Sequence, residues 1–221
     1  MWPWLDRVLY RRPFEGRSAR RYATEERPAF DDLDDRLLDR LAPELERSRT
    51  LLDVGTGPAT FARAAAARFS HLHVIAIDPS RELGQVGPGG AAPNGSAGSI
   101  DVARASGEAL PLATASVDAA ICLSSIRHVR DRAATLGELR RVVRPGGRLV
   151  IVELDPTASA VRIAAHGNRI ASPILRTAFG PLVVRTAPPV EAIEDLAVGA
   201  GWHRDELRDD PVQPVYILEL V

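Results

Sequence analysis

Residues 52–58 read LDVGTGP, the end of an apolar run followed by two glycines with one residue between them. Such a run is typical of a buried strand, and Gly55 and Gly57 allow a tight turn at its carboxyl end. An alanine-rich stretch follows over residues 58–69 and begins at Pro58, a residue suited to the first turn of a helix. The sequence therefore predicts a strand, a glycine turn and a helix in direct succession.

The same alternation continues along the chain. Further buried strands are predicted over residues 72–77, 117–123 and 149–152, which are short and apolar. A helix with one apolar face precedes the last of them and stops at residues 144–147 (RPGG), a sequence that ends helices. Repeated strand and helix segments indicate a parallel sheet with helices on both faces.

Helical segments are also predicted outside this core. Leucines at helical spacing indicate a helix over residues 30–45, with Pro43 placed to kink or end it. Near the other end, the pattern favours a helix over residues 191–200 and an edge strand over residues 215–220. Residues 157–189 are too long for a minimal connection, and we expect them to form a helical cover over the functional site.

One stretch breaks the rhythm. Residues 84–99 hold six glycines and two prolines, so they do not sustain the helix expected after the second strand, and we predict a loop there. A chain of 221 residues is long enough for one sizeable domain. We divide it into an N-terminal helical segment (1–48), a ligand-binding core (49–156), the helical cover (157–189) and a C-terminal helix with edge strands (190–221).

Composition narrows the function classes. Lysine and arginine number 28 against 29 aspartate and glutamate, and a net charge of −1 at pH 7 gives no field that gathers nucleic acid. The single cysteine, Cys122, excludes an internal disulfide and a cysteine-built metal site, so we expect no metal and a cytoplasmic location. No apolar run reaches the ~18 residues of a membrane span, so integral membrane insertion is not expected.

The ends of the predicted strands are where a ligand of a parallel sheet binds. Gly55 and Gly57 let a ligand lie against backbone amides, although the same glycines also suit a tight turn in any α/β protein. Asp78 ends the second strand about 20 residues later, where a carboxylate can bind both hydroxyls of a ribose. These features predict a ligand that contains a nucleoside. A dinucleotide fingerprint needs a third glycine, where this chain has Thr60.

Four segments together carry a family resemblance: residues 53–57 (DVGTG), 76–80 (AIDPS), 107–112 (GEALPL) and 141–147 (RVVRPGG). Their order and spacing resemble those of class I S-adenosylmethionine-dependent methyltransferases, over about residues 33–155. Residues 121–131 (ICLSSIRHVRD) look like the segment after the fourth strand in the branch of the ubiquinone/menaquinone biosynthesis C-methyltransferase. The resemblance implies a Rossmann-like, doubly wound α/β fold, with a mostly parallel seven-stranded sheet, an antiparallel edge strand and helices on both faces.

The resemblance also implies the cofactor S-adenosylmethionine and nine residues that contact it: Asp53, Gly55, Thr56, Gly57, Asp78, Pro79, Ser106, Gly107 and Ser124. The first four hold the methionine part, Asp78 binds the ribose, and Ser106 with Gly107 flanks the adenine. Ser124 closes the floor of the pocket near the sulfonium. Many relatives carry an acidic or amide side chain where this chain has Ser106.

His128 is the candidate catalytic residue, because it stands at a family position that faces the site. It is suited to accept a proton near neutral pH, while a role in capping the next helix or filling a gap stays open. His166 in the cover is a weaker candidate for acceptor contact, with a surface histidine as the alternative. Glu153 and Asp155 either orient an acceptor or form a polar rim. Arg127 either meets an anionic group of the substrate or belongs to a charged rim.

We expect the acceptor of the methyl group to be a small molecule, enclosed by Tyr22, residues 127–128 and the cover. An RNA or protein methyltransferase and a non-catalytic cofactor-binding protein are the alternatives. Trp2 and Trp4 near the N-terminus either pack against the fold or make peripheral contact with a membrane. The sequence leaves the identity of the acceptor, the methylated atom and the oligomeric state open.

Overall fold

The protein is described by a computed structural model over residues 16–81 and 98–221. Strands β1 to β7 span Thr50–Val54, His73–Asp78, Ser99–Arg104, Val117–Leu123, Val143–Leu154, Arg204–Asp209 and Val215–Leu220. They form one sheet in the order β3-β2-β1-β4-β5-β7-β6. All neighbouring strands are parallel except that β7 runs antiparallel to both β5 and β6. The predicted Rossmann-like sheet is confirmed.

The strands alternate with helices. Helices α1 to α7 span Gly16–Arg21, Asp31–Leu45, Thr60–Arg68, Arg132–Val142, Ala160–Gly167, Pro173–Ala178 and Val190–Gly199. Short π-helical turns occur at Tyr22–Glu26 and Phe179–Val184, and 3₁₀ turns at Arg27–Phe30 and Ile126–His128. Within the described ranges, no helix is both long and apolar enough to cross a membrane. Nor do those ranges contain three or more His, Cys, Asp or Glu side chains grouped to hold a metal ion.

The hydrophobic core lies on both faces of the sheet. Leu51 of β1 belongs to the cluster that includes α2 and α3, whereas its neighbour Leu52 belongs to the cluster that includes α4 and α7. Successive side chains of a strand point to opposite faces, so helices cover both sides of the sheet. This double burial explains why the central strands are almost continuously apolar in sequence.

The helix predicted over residues 30–45 is present as α2, and Pro43 lies inside its last turn without ending it. The next helix was placed less accurately. Helix α3 begins at Thr60 rather than at Pro58, since Ala59 still has a left-handed φ of 58°. The glycine turn therefore extends to Ala59 before the helix starts.

The two edge strands were the hardest to foresee. Strand β3 reads SIDVAR and is largely exposed, so it lacks the continuous apolar run that marks the central strands. The predicted strand over residues 215–220 exists as β7, but it lies one place inside the edge, because the exposed strand β6 (RDELRD) pairs with its outer side. Most of the predicted loop at residues 84–99, together with Trp2 and Trp4, lies outside the described residues.

Candidate functional site

A cavity of about 320 Å³ lies at the carboxyl ends of β1, β2 and β4, and its size is within the range of small-molecule sites. All nine residues that the resemblance assigned to the cofactor line it: Asp53, Gly55, Thr56, Gly57, Asp78, Pro79, Ser106, Gly107 and Ser124. His128 lines it as well. The sheet thus brings together residues that are up to 75 positions apart in the sequence, from Asp53 to His128.

Gly55 makes a very close approach to the chain around it. Its φ is +74°, and a Cβ at this position would lie 2.4 Å from the Cβ of Ser125. Ser125 is held in place because its hydroxyl donates a 2.6 Å hydrogen bond to the carbonyl of Val54. The amide of Gly55 donates to the carbonyl of Ile77 at 2.7 Å. The glycine turn is therefore pinned between β2 and the segment that follows β4.

Asp53 is a buried acid on the cavity wall. Its Oδ2 accepts a 2.6 Å hydrogen bond from the hydroxyl of Thr56. Its Oδ1 is buried and has no hydrogen-bond partner within the described part of the chain. Burial raises the pKa of this carboxyl from 3.8 to about 7, although the bond from Thr56 opposes the shift. An unsatisfied carboxylate oxygen of a residue that lines a cavity is a suitable acceptor for an ammonium group.

Asp78 is held by backbone amides. Its Oδ2 accepts from the amide of Gly57 at 3.0 Å and its Oδ1 from the amide of Ser80 at 2.8 Å. Burial raises the pKa of the Asp78 carboxyl, and the two amide bonds partly offset that effect. Each carboxylate oxygen has capacity for one further donor, which is what two adjacent hydroxyl groups require.

Ser106, Gly107 and Glu108 form the wall beyond β3. The hydroxyl of Ser106 donates to Oε2 of Glu108 at 3.3 Å, and Oε1 of Glu108 accepts from the amide of Asp131 at 2.9 Å. A Cβ at Gly107 would lie 2.9 Å from the Thr135 side chain, so glycine is the residue that fits. Sequence reasoning did not place Glu108 in the cavity, although the carboxylate lies directly beside the Ser106 hydroxyl.

The segment before α2 closes the remaining side of the cavity. Tyr22, Arg27 and Phe30 line the wall there, and only Tyr22 was expected at the site. Arg27 is buried and paired with Asp34 of α2. No local pattern distinguishes Arg27 from the other arginines of the sequence, because its position depends on how α2 packs against the sheet.

The predicted cover packs outside this wall. Among the described cavity-lining residues, none comes from residues 157–189. Instead, the ring of Phe30 lies 4.4 Å from that of His166, which stacks on Phe179 at 4.4 Å. The segment before α2 therefore occupies the position that we had assigned to the cover.

His166 is not a surface residue, and it does not line the cavity. Its ring is buried and hydrogen-bonded to Gln213, and burial lowers the pKa of the imidazole to about 4. It is therefore neutral at physiological pH and serves the core between the cover and the segment before α2.

His128 is backed by a buried ion pair. Nε of Arg127 donates a 3.1 Å hydrogen bond to Nε2 of His128. Nη1 of Arg127 lies 3.1 Å from Oε1 of Glu153, whose side chain has no exposed surface. Neither Arg127 nor Glu153 belongs to a polar rim, the alternative raised by the sequence, because both are buried beneath the cavity wall.

The central part of the chain matches a known family. Residues 52–151, somewhat less than half of the chain, match the model of a methyltransferase domain. Over 105 residues the chain is 36% identical to the ubiquinone/menaquinone biosynthesis C-methyltransferase of Syntrophotalea carbinolica. The matched residues make up 48% of this chain and 44% of that protein. The chain is 49% identical over 107 residues to an uncharacterized methyltransferase of Mycobacterium ulcerans, covering 47% and 38%. The chain thus spans less than half the length of these curated relatives.

The fold extends the similarity beyond that central part. The crystal structure of a SAM dependent methyltransferase from Aquifex aeolicus superposes with a TM-score of 0.64, over 90% of this chain and 91% of that one. The two sequences are 16% identical, so this likeness shows a shared fold. The matching architecture includes the flanking segments that the domain model leaves out.

Proposed function

We propose that the chain is a class I S-adenosylmethionine-dependent methyltransferase, which transfers a methyl group from this cofactor to a small-molecule acceptor by in-line displacement. The match of residues 52–151 to a methyltransferase domain supports the proposal. One observation carries the proposal. Asp53 leaves a buried carboxylate oxygen unpaired within the described residues, on the wall of a cavity that also contains Asp78. An ammonium group and a ribose on one ligand satisfy both acids.

The residues of the cavity fit this cofactor. Asp53 would hold the ammonium group of the methionine part, and the bare backbone of Gly55 and Gly57 would allow its close approach. Asp78 would bind the ribose hydroxyls. The adenine would lie against Ser106 and Gly107, and the sulfonium above Ser124. When bound, the cofactor supplies a methyl group on a sulfonium, which leaves as a neutral thioether.

The chain's own contribution is mainly alignment. Holding acceptor and methyl donor in line can supply roughly 7–11 kcal/mol of the barrier without a metal or a catalytic triad. The side chains of Tyr22, Phe30 and Leu123 give the cavity an apolar lining that excludes water and suits a small acceptor with an apolar or aromatic body. His128 stands on the same wall and is the polar group that we assign to the acceptor.

Transfer of labelled methyl groups tests the proposal. The protein is incubated with methyl-labelled S-adenosylmethionine and a cell extract separated into low-molecular-weight, protein and RNA fractions. We expect label in the low-molecular-weight fraction, identified by mass spectrometry, and none with an Asp53→Asn variant. Label in protein or RNA would contradict the small-molecule acceptor. Cofactor binding without transfer to any fraction would favour a non-catalytic binding protein.

Asp78→Ala is expected to weaken binding of S-adenosylhomocysteine by about 1–3 kcal/mol, because ribose hydroxyls lose their acceptor. Isothermal titration calorimetry measures the change. The matched control is Asp101→Ala, which removes an exposed carboxylate of β3 that pairs with His73 away from the cavity. An unchanged dissociation constant in a folded Asp78→Ala protein would show that the ribose is bound elsewhere.

Ser106→Asn is expected to tighten S-adenosylhomocysteine binding by roughly 0.5–1.5 kcal/mol, since the amide oxygen can accept from the adenine amino group. An amide avoids placing a second negative charge beside Glu108. The gain should be absent for the inosine analogue, whose base has no amino group, and absent in Ser106→Ala. Equal gains for both nucleosides would place the adenine away from Ser106.

A further inference from the structure

The cover, residues 157–189, differs in charge from the rest of the chain. It holds four arginines and no aspartate or glutamate, although the chain has 29 acidic residues. Carboxylates outside the cover pair with two of these arginines, Arg162 and Arg169. The other two are Arg176 and Arg185, and the cover itself offers them no acidic partner.

Main-chain carbonyls hold these two side chains instead. Nε and Nη2 of Arg176 donate to the carbonyl of Ile170, and Nη1 of Arg185 donates to the carbonyl of Pro156. Both arginines are exposed, and within residues 16–81 and 98–221 no carboxylate pairs with either guanidinium. A carbonyl orients a guanidinium without neutralising its charge, so both positive charges are available to an anionic partner.

The cover also exposes large aliphatic side chains. Val161 is 78% exposed and Ile174 is 81% exposed, the two highest values among the large hydrophobic side chains of the described residues. Residues three apart on a helix are neighbours, so Val161 lies beside Ala164 on α5 and Ile174 lies beside Thr177 on α6.

An open depression joins the apolar and the charged groups. It has a volume of about 460 Å³ and lies between α5, α6 and the π-helical turn that follows α6. Ala164 and Thr177 line it, and so do Arg176 and Arg185. The two most exposed aliphatic side chains therefore border the same depression as the two arginines. We call these groups together the cover surface.

The cover surface fits a lipid membrane better than a protein. Protein interfaces favour aromatic anchors, but the exposed residues of the cover, all of which is described, include no aromatic side chain. Contact between two copies through this surface would bring the arginines of both copies together, which their charges oppose. An anionic bilayer accepts aliphatic side chains at its interface and arginines among its headgroups.

We propose that the cover surface docks on anionic lipid membranes, with Val161 and Ile174 inserted at the headgroup boundary and Arg176 and Arg185 against the lipid phosphates. The inference goes beyond the proposed function, because it concerns where the protein is held and not the reaction. Its tests require neither cofactor nor acceptor, so its failure is distinguishable from failure of the proposed function.

Flotation of the full chain with lipid vesicles tests the proposal. We expect binding to vesicles that contain one third phosphatidylglycerol and two thirds phosphatidylcholine. Binding to pure phosphatidylcholine should be roughly ten-fold weaker or more, and high salt should weaken binding to the anionic vesicles, since it screens the attraction. Equal binding to the two kinds of vesicle, or binding to neither, overturns the proposal.

Two double variants locate the contact. Val161→Ser with Ile174→Ser should weaken binding to anionic vesicles roughly ten-fold or more, because both aliphatic insertions are lost. Arg176→Gln with Arg185→Gln should weaken it roughly 30-fold, at about five-fold per arginine. Thermal unfolding checks that both variants fold. If the arginine variant does not fold, the aliphatic variant still decides, since it changes only exposed side chains.

Matched double variants outside the cover serve as controls. Val102→Ser with Val198→Ser removes two aliphatic side chains that are 43% and 53% exposed. Arg47→Gln with Arg208→Gln removes two exposed arginines and changes the net charge by the same amount as the arginine variant of the cover. Both controls should bind anionic vesicles nearly as the wild-type protein does. Losses equal to those of the cover variants contradict a specific surface.

Other occupants of the cover surface give different results, each of which overturns the proposal. Membrane binding that both cover variants keep and that Trp2→Ser with Trp4→Ser loses would place the contact near the N-terminus. A dimer in solution that Val161→Ser with Ile174→Ser dissociates would assign the surface to a second copy of the chain. Binding of polyglutamate in place of anionic vesicles would assign it to an acidic protein.

Discussion

Asp53→Asn is expected to abolish measurable binding of S-adenosylhomocysteine and at the same time to make the protein more stable at pH 8. Burial raises the pKa of the Asp53 carboxyl to about 7 from 3.8. The folded state therefore holds a proton that the unfolded chain has already released between these two values, and stability falls as the pH rises through that window. Above pH 7 the buried charge destabilises the fold by roughly 2–4 kcal/mol, which a neutral amide avoids.

The same titration sets the pH dependence of binding. In the proposed site the ammonium group of the cofactor would pair with the ionised carboxylate of Asp53, so affinity should rise as the pH increases through about 7. Burial is the largest cause of the raised pKa of Asp53, and the nearby Asp34 and Asp78 add to it while Arg27 opposes it. Calorimetry at pH 6 and pH 8 measures the affinity, and urea denaturation measures the free energy of unfolding.

Asp118→Asn serves as a control, because it is expected to change the free energy of unfolding in the direction opposite to Asp53→Asn. The Asp118 carboxyl accepts hydrogen bonds from the amides of Arg49 and Thr50 and from the Thr50 hydroxyl, and it pairs with Arg144. These contacts lower the pKa of the Asp118 carboxyl, so its charge stabilises the fold at pH values above the pKa that the group has in the unfolded chain. An amide at this position should therefore lower the free energy of unfolding. An Asp53→Asn protein that binds the cofactor normally, or that loses stability as Asp118→Asn does, would contradict the assigned role.

Gly55→Ala is expected to destabilise the fold by on the order of 2–6 kcal/mol, through a left-handed backbone and a steric overlap. The added Cβ would lie 2.4 Å from the Cβ of Ser125, which cannot move without losing its bond to the Val54 carbonyl. Relief of the overlap would displace the glycine turn, so cofactor binding should fail even where the variant folds. Thermal unfolding and calorimetry measure the two effects.

Gly146→Ala separates the energetic cost of backbone strain from the cost of the steric overlap. Gly146 has a φ of +77°, close to the +74° of Gly55, yet nothing lies within 4 Å of its Cβ position. Its replacement should therefore cost only the backbone term, about 1–2 kcal/mol, and leave binding intact. Similar losses of stability in Gly55→Ala and Gly146→Ala would show that Ser125 can move away from the added Cβ. The glycine turn after β1 would then tolerate a side chain.

The strand ends could be predicted from the sequence because they carry two signals at once. An apolar run shows where a strand is buried, and a glycine or an acid at its end shows where it meets the cavity. Gly55, Gly57 and Asp78 were visible for this reason, whereas the role of Asp53 came from the family resemblance. Strand β3 was not predicted, since this exposed edge strand lacks the continuous apolar run of the buried strands.

The parts of the site that depend on tertiary packing could not be predicted. Arg27 and Phe30 reach the cavity only because α2 packs beside the glycine turn, and the helical cover was assigned to the position that they fill. Glu153 lies 26 positions beyond Arg127, and their pairing follows from where β5 lies beside the segment after β4. No local sequence pattern indicates such a contact. From the sequence alone, both residues were equally consistent with a polar rim.

Calorimetric titration of the wild-type protein with S-adenosylhomocysteine at pH 8 tests the central claim most directly, because it requires no acceptor. We expect one site per chain, no response to NAD, and loss of the heat signal in Asp53→Asn. Binding of NAD in place of S-adenosylhomocysteine, or no binding of either ligand by a folded protein, would contradict the assignment of this cavity to the methyl donor.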